Sequence, residues 1–306
     1  MLGAARPARW WSHRKTITAG HAPPWPRVIV RRAGQRVRCD AVTGAENPAA
    51  LDPGDPGDPR QMARRASSFG GAAGEYARHR PGYPDAAIDW LLEPVRNRRQ
   101  IRALDLAAGT GLLTEALHRA DVDVIAVEPD PLMREEMQRR VFGAAVLAGT
   151  GEDIPLPDQR VDVVGIGQAM HWLDQRRALP EIARVLKPGG VLAALWNGDD
   201  HRVDWVVEYS RLSGFPADSE APERPPVDEH EAFGPMEWQT FDNPVRRTVD
   251  SLVATVGTFS ATLVLGPAER AEKLRRVREY LQSRPETASG EFALPMITTV
   301  ARMIRR

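Results

Sequence analysis

Cysteine is almost absent from this 306-residue chain: Cys39 stands alone, which excludes an internal disulfide and any cysteine-rich zinc site. A reducing, cytoplasmic setting is therefore the expected one. Long apolar runs are missing too. None approaches the roughly 18 to 20 residues needed to cross a bilayer, so no membrane partner is expected. Nor does one charge prevail, since 41 Lys and Arg face 41 Asp and Glu, and nothing global calls for a nucleic-acid polyanion or an anionic membrane. No internal repeat is found. What is present, a hydrophobic share of 42%, suffices to bury a core in one large domain or two small ones.

The balanced charge is unevenly spread. The first 65 residues hold 12 Lys or Arg against 5 Asp or Glu, which leaves the remainder mildly acidic. The opening "MLGAARPARWWSHRKTITAG" is Arg-rich and acid-poor like a transit peptide, but it lacks the continuous apolar segment of a secretory signal. "HAPPWPRVIVRRAGQRVRCD" and "NPAALDPGDPGDPR" keep no helical or strand period, and Pro and Gly punctuate the second. Residues 1–65 are expected to be a disordered or non-native extension, with Met62 as the natural start.

From residue 66 the pattern changes. "SSFGGAAGEYARH" places Phe69, Ala73 and Tyr76 at helical spacing before "RPGYP" ends the helix, because proline cannot continue it. "DAAIDWLLEPV" predicts a second helix capped by Asp85. Strands are predicted at "IRALDL", "VDVIAVEP", "AAVLAG", "VDVVGIG" and "VLAALWN", separated by helices at "GLLTEALHRA", "PLMREEMQRR" and "PEIARVLKPGG". Pro180 is placed in the first turn of that last helix, where its missing donor costs nothing. Short, continuously apolar strands alternating with amphipathic helices predict a doubly wound α/β domain with a mostly parallel sheet. Helices are also expected over "VDWVVEYSRLSGF", "SLVATVGTF" and "PAERAEKLRRVREYLQSR", with a loop over residues 214–230 and a final strand near "FALPMITTVARMIRR".

In such a sheet, ligands sit beyond the carboxyl ends of the strands, where the winding reverses. The turn "LDLAAGTG" after the first strand is the expected floor, with Gly109 and Gly111 letting the backbone approach a ligand. Two cofactor classes compete for it. A dinucleotide fingerprint G-x-G-x-x-G would need a third glycine at position 114, which is Thr. The better fit is Asp105, a small residue at Ala107, then Gly109 and Gly111.

On these residues the chain resembles the class I S-adenosylmethionine-dependent methyltransferases, close to the methyltransferase type 11 group. "VIAVEPD" adds an acidic end to the second strand at Glu128, followed by Pro129. "LAGTGEDIPLPDQRVDVV" resembles the segment that holds adenine, "GQAMHWLD" the His-Trp signature of trans-aconitate methyltransferase-like proteins, and "RVLKPGGVLAALW" the helix, turn and fifth strand. The resemblance covers residues 66 to about 200, and more loosely the tail from Phe233. It implies a seven-stranded Rossmann-like sheet with an N-terminal lid helix, a cofactor-binding core over 100–197 and a substrate-side region over 198–306.

The resemblance further implies S-adenosyl-L-methionine as cofactor and a small-molecule methyl acceptor, with no nucleic acid. Glu128 would accept from both ribose hydroxyls, since each carboxylate oxygen can take one. Gly151 and Glu152 would line the adenine, Asp105 would support the loop, and Gln168 would hold cofactor or acceptor. Tyr76 would approach the sulfonium with its aromatic face, and Arg80 would pair with a carboxylate. His171 is the candidate general base. Competing readings are a nicotinamide-dependent oxidoreductase and a non-catalytic cofactor-binding regulator.

Overall fold

In the computed structural model, residues 80–214 and 224–306 are described. The expected extension over 1–65 and the helix carrying Tyr76 lie outside them. The ordered pattern opens with helix α1 (Asp85–Leu92), which buries Ala87, Ile88, Leu91 and Leu92. Asp85 is not its cap. Pro84 takes that position in extended conformation, and Asp85 stands in the first turn, where a carboxylate favours the helix dipole.

Strands β1 (Arg102–Leu106), β2 (Asp123–Val127), β3 (Ala145–Leu147), β4 (Val161–Gly167) and β5 (Leu186–Asp199) follow. Helices α2 (Leu112–Arg119), α3 (Pro131–Arg140) and α4 (Gln175–Val185) connect them. These five strands pair in parallel, in the order β3-β2-β1-β4-β5. The order reverses at β1, which pairs with β2 on one side and β4 on the other. At the end of the sheet away from the ligand crevice, buried Asp162 of β4 accepts from the Arg102 amide at 2.9 Å and from Lys187 at 2.8 Å, and pairs with Arg98. These three partners hold its carboxyl below the ordinary range despite burial.

The C-terminal half completes the sheet. Strand β9 (Met296–Ile304) runs antiparallel beside β5, and β6 (Glu237–Asp242) antiparallel beside β9, giving seven strands. A separate ribbon pairs β7 (Val245–Arg247) with β8 (Phe292–Leu294). Around it pack α5 (Asp204–Ser213), α6 (Val249–Gly257) and α8 (Pro267–Ser283), with a short α7 (Ser260–Leu263) between the last two. Trp205, Tyr209, Leu252, Val256, Val277, Leu281, Phe292 and Leu294 form a second apolar core there, distinct from the one under β1 and β4. Among the described residues no helix is long and apolar enough to cross a membrane.

Two local expectations are corrected. Pro180 does not start a helix: α4 begins at Gln175, with Asp174 as cap accepting from the Arg176 amide, and carries Pro180 inside it. Burial of Ala178, Leu179, Ile182, Ala183 and Val185 on one face outweighs the lost bond to the Arg176 carbonyl. Replacing the exposed Pro180 by alanine is expected to stabilise the protein by about 2 kcal/mol, read as a higher urea midpoint. An unchanged midpoint would mean that the surrounding structure already absorbs the missing bond. The second correction concerns "LKPGG", which is strand, not helix. It begins β5, with a register shift opposite Val161 and Val163, and Gly189 takes φ +68 there.

Candidate functional site

At the carboxyl ends of β1, β2 and β4 lies a cavity of about 620 Å³. Its floor is the turn after β1. Gly109 lines it at φ +57, and a side chain there would project into open space, so this glycine leaves room for a ligand. Gly111 serves differently. It does not line the cavity, and a Cβ on it would come within 2.9 Å of Val141 Cγ2 and 3.0 Å of Met137 Cγ. Its φ of +87 at the start of α2, and the close approach of α3, are what require glycine.

Two non-glycine residues are held at positive φ on the same rim: Ala107 after β1 (φ 55) and Gln168 after β4 (φ 57). Each costs on the order of 1 kcal/mol, and strain of this kind gathers where a site over-determines the backbone. Gln168 is fixed by two contacts. Its amide donates to the Leu195 carbonyl at 2.8 Å, and its side chain donates to the Asn197 carbonyl at 3.0 Å.

Glu128, one residue past β2, ties the floor together. One carboxylate oxygen accepts from the Gly109 amide and the other from the Asp130 amide, both at 2.9 Å. Each oxygen keeps a further lone pair, and the residue lines the cavity. Burial pushes its pKa up, against the pull of the two amides. Pro129 and Asp130 continue the wall, and Asp130 caps α3 by accepting from the Leu132 and Met133 amides. Opposite, Thr150, Gly151 and Glu152 line the cavity, with Glu152 accepting from the Asp174 amide at 2.9 Å. A side chain on Gly151 would strike Leu173 Cδ2 at 2.9 Å.

Asp105 is 1% exposed at the end of β1. One oxygen accepts from the Thr114 hydroxyl at 2.6 Å, while Oδ1 has no partner among the described residues; nor has Thr110 Oγ1, in the same turn. Burial, with a smaller contribution from the Glu128 charge, pushes its pKa up to about 7 even though the Thr114 hydroxyl and amide pull it down. Two buried, unsatisfied polar atoms on one cavity wall are what a polar ligand would relieve.

His171 is not brought to this cavity. It sits in a 3₁₀ turn, Met170–Trp172, exposed and with its ring tilted against Trp172 (centroids 4.7 Å apart, planes at 47°), and it is Trp172 that lines the wall. Crowding by its neighbours lowers its pKa.

A second cavity of about 720 Å³ adjoins the first, with Arg80, Pro81 and Gln168 lining both. The Arg80–Gly82 segment that divides them is pinned from the sheet. Asn197 Nδ2 donates to the Pro81 and Gly82 carbonyls at 3.2 and 3.1 Å, and Asn243 Nδ2 donates to Gly82 at 3.0 Å. Arg80 lies over the Phe259 ring at 4.6 Å. Asp199, His201, Tyr209, Arg247 and Met296 also line this second cavity, and sequence reasoning names none of them. Only Asp199 carries a signal, as a carboxylate ending a parallel strand. Tyr83 and Gly167 are missed as well: a Cβ on Gly167 would lie 2.5 Å from the Tyr83 hydroxyl, so this glycine admits the ring.

The fold and crevice define a doubly wound α/β protein with its ligand site at the winding reversal. The model of the family described as "Methyltransferase domain" matches residues 104–194. An uncharacterized methyltransferase of Mycobacterium tuberculosis is 41% identical over 236 residues, covering 77% of this chain and 94% of the relative. One of Schizosaccharomyces pombe is 30% identical over 235 residues, covering 74% and 92%. A solved structure from Anaeromyxobacter dehalogenans, assigned as a type II methyltransferase, aligns with TM-score 0.55 at 26% identity, covering 74% of this chain and 97% of its own. The chain belongs to this methyltransferase family.

Proposed function

We propose that the protein moves a methyl group from S-adenosylmethionine to a small-molecule acceptor. The observation that carries this reading is Glu128, a buried carboxylate locked by two backbone amides at the winding reversal, with acceptor capacity left toward the cavity. A ribose diol is the ligand group such a carboxylate suits. The unsatisfied Asp105 Oδ1 and Thr110 Oγ1 and the space above Gly109 fit a polar nucleoside-bearing molecule.

When bound, the cofactor supplies an activated methyl group together with its own leaving group. The chain's part is binding, alignment and exclusion of water. Glu128 would hold the ribose, while Pro131, Met133 and the Thr150–Glu152 segment would wall the adenine. Arg80 and Gln168, at the seam between the cavities, would orient the cofactor's amino-acid end and the acceptor. Pro81, Trp172 and Leu173 would keep water out.

The dinucleotide alternative is disfavoured by Thr114. A glycine at the third position of that fingerprint allows close helix–strand packing, whereas here the Thr114 hydroxyl is engaged with Asp105. A second cavity beside the first, sharing Arg80, Pro81 and Gln168 with it, offers room for an acceptor and so favours turnover over ligand sensing. Parallel calorimetric titrations with S-adenosylmethionine, S-adenosylhomocysteine and NAD test the reading. Both adenosyl compounds are expected to bind and NAD is not, and saturable binding of NAD alone would overturn it.

A further inference from the structure

Two carboxylates border the second cavity, and one of them keeps an oxygen open. Asp200 is engaged through both oxygens by Arg202, each at 2.8 Å. Asp199, half-buried at the end of β5, is held by one oxygen: Oδ2 accepts from the Ser210 hydroxyl at 2.5 Å, while Oδ1 accepts no hydrogen bond from any described residue. Buried Ser210 has a single proton, and giving it to Asp199 leaves its oxygen to accept from His201 Nε2, 3.1 Å away. The orientation of the carboxylate is thereby fixed. Asn197 and Asp199 are alternate residues of β5, in register with Thr298 and Met296, so their side chains leave the same face about 7 Å apart. Since Asn197 grips the segment that divides the cavities, Asp199 stands just beyond that seam, on the acceptor side. Removal from water raises its pKa against the pull of Ser210, His201 and Arg80, which makes it a stronger base than an exposed carboxylate.

We infer that Asp199 is the general base of the reaction and that the acceptor is a hydroxyl compound with an apolar body. A hydroxyl oxygen is a poor nucleophile until its proton leaves, whereas a carboxylate has none to give and a neutral amine attacks through its lone pair and sheds its proton afterwards. Only the hydroxyl needs a base in the transition state. As the oxygen–methyl bond forms, the sulfur–methyl bond breaks with its electron pair staying on sulfur, and the acceptor's O–H bond breaks with its proton passing to Asp199 Oδ1. Asp199 returns that proton to water when the product leaves. A carboxylate acceptor would instead set a second negative charge against Asp199. Leu252, Leu294 and Met296 on the same cavity suit an apolar body. The inference rests on reading the first cavity as the cofactor site.

Calorimetric titration of the full chain with phenol, its methyl ether anisole and benzoate, with and without saturating S-adenosylhomocysteine, tests it. Phenol is expected to bind at least about tenfold more tightly than either of the others, the scale of one hydrogen bond to a charged group. Asp199→Asn should erase the preference for phenol over anisole, because its carbonyl oxygen can keep the Ser210 bond while its NH₂ group donates to either oxygen. The variant should bind S-adenosylhomocysteine as the native chain does. Equal binding of phenol and anisole, tighter binding of benzoate, or no binding of any of the three at millimolar concentration would overturn the inference. Transfer of tritium to phenol from S-adenosylmethionine labelled in its methyl group reads the proton step: the native chain is expected to support it and Asp199→Asn to slow it by at least about 100-fold. Transfer that the variant keeps, or none by the native chain with phenol bound, would overturn the base role. Failure of S-adenosylhomocysteine to bind would instead overturn the cofactor reading, and the titrations without it still decide the preference for a hydroxyl. Should Asp199→Asn lose its native circular dichroism, the binding ratios and the transfer in the native chain decide.

Discussion

Replacing Glu128 by alanine is expected to lower affinity for S-adenosylmethionine by about 100-fold or more, which corresponds to about 2.7 kcal/mol. Two losses combine. The ribose hydroxyls lose a charged acceptor, a contact worth about 1.5 to 3 kcal/mol, and the Gly109 and Asp130 amides lose theirs at 2.9 Å, which frees the turn that forms the floor. Glutamine separates charge from shape. Its carbonyl oxygen can satisfy one of the two amides, but its NH₂ group faces the other with a donor, so Glu128→Gln should lose nearly as much affinity as alanine. Calorimetric titration gives the comparison directly, with S-adenosylhomocysteine as a ligand that cannot react. An affinity within threefold of the native chain in both variants would remove Glu128 from the cofactor site.

How far the site could be read in advance depends on what set each residue's role. Asp105 and Glu128 end apolar runs, and a carboxylate at the carboxyl end of a parallel strand points to the crevice by topology alone. Gly109 and Gly111 look alike in sequence, yet one leaves space for a ligand and the other makes room for Met137 and Val141, side chains more than 25 positions away in the chain. That difference is tertiary and leaves no local mark. His171 and Trp172 are neighbours in a 3₁₀ turn, where successive side chains point about 120° apart. The two therefore need not face the same way, and it is Trp172 that lines the cavity. Arg247 and Asp199 come from β7 and β5, which belong to different sheets, so no spacing rule joins them.

Part of the strain that the fold retains gathers on the first cavity, while Asp121 and Gln159, also at positive φ, lie elsewhere. Ala107 and Gln168 at positive φ, Thr110 with an unsatisfied hydroxyl and Asp105 with an unsatisfied carboxylate oxygen all lie on the first cavity. Gathered on one wall, they are the pattern of a site kept for binding at the expense of stability.

Asp105→Asn makes that opposition measurable, and it should stabilise the protein while impairing ligand binding. The Asp105 pKa is raised from 3.8 to about 7, so folding disfavours the ionised form. Stability associated with this group is fully present below pH 3.8 and is lost as pH rises through about 7, where the folded state too must carry the buried charge. Three units at 1.36 kcal/mol each amount to about 4 kcal/mol by pH 8. Asparagine keeps the shape, and its carbonyl oxygen can still accept from the Thr114 hydroxyl, but it never ionises. The stability difference between variant and native chain should therefore grow by up to about 1.4 kcal/mol per pH unit from pH 4 to 7 and level off above pH 8. Urea unfolding at a series of pH values gives this curve. A difference that stays flat from pH 5 to 8 would show that the native carboxyl is already ionised throughout, and that the unsatisfied Oδ1 is relieved by some group other than a proton.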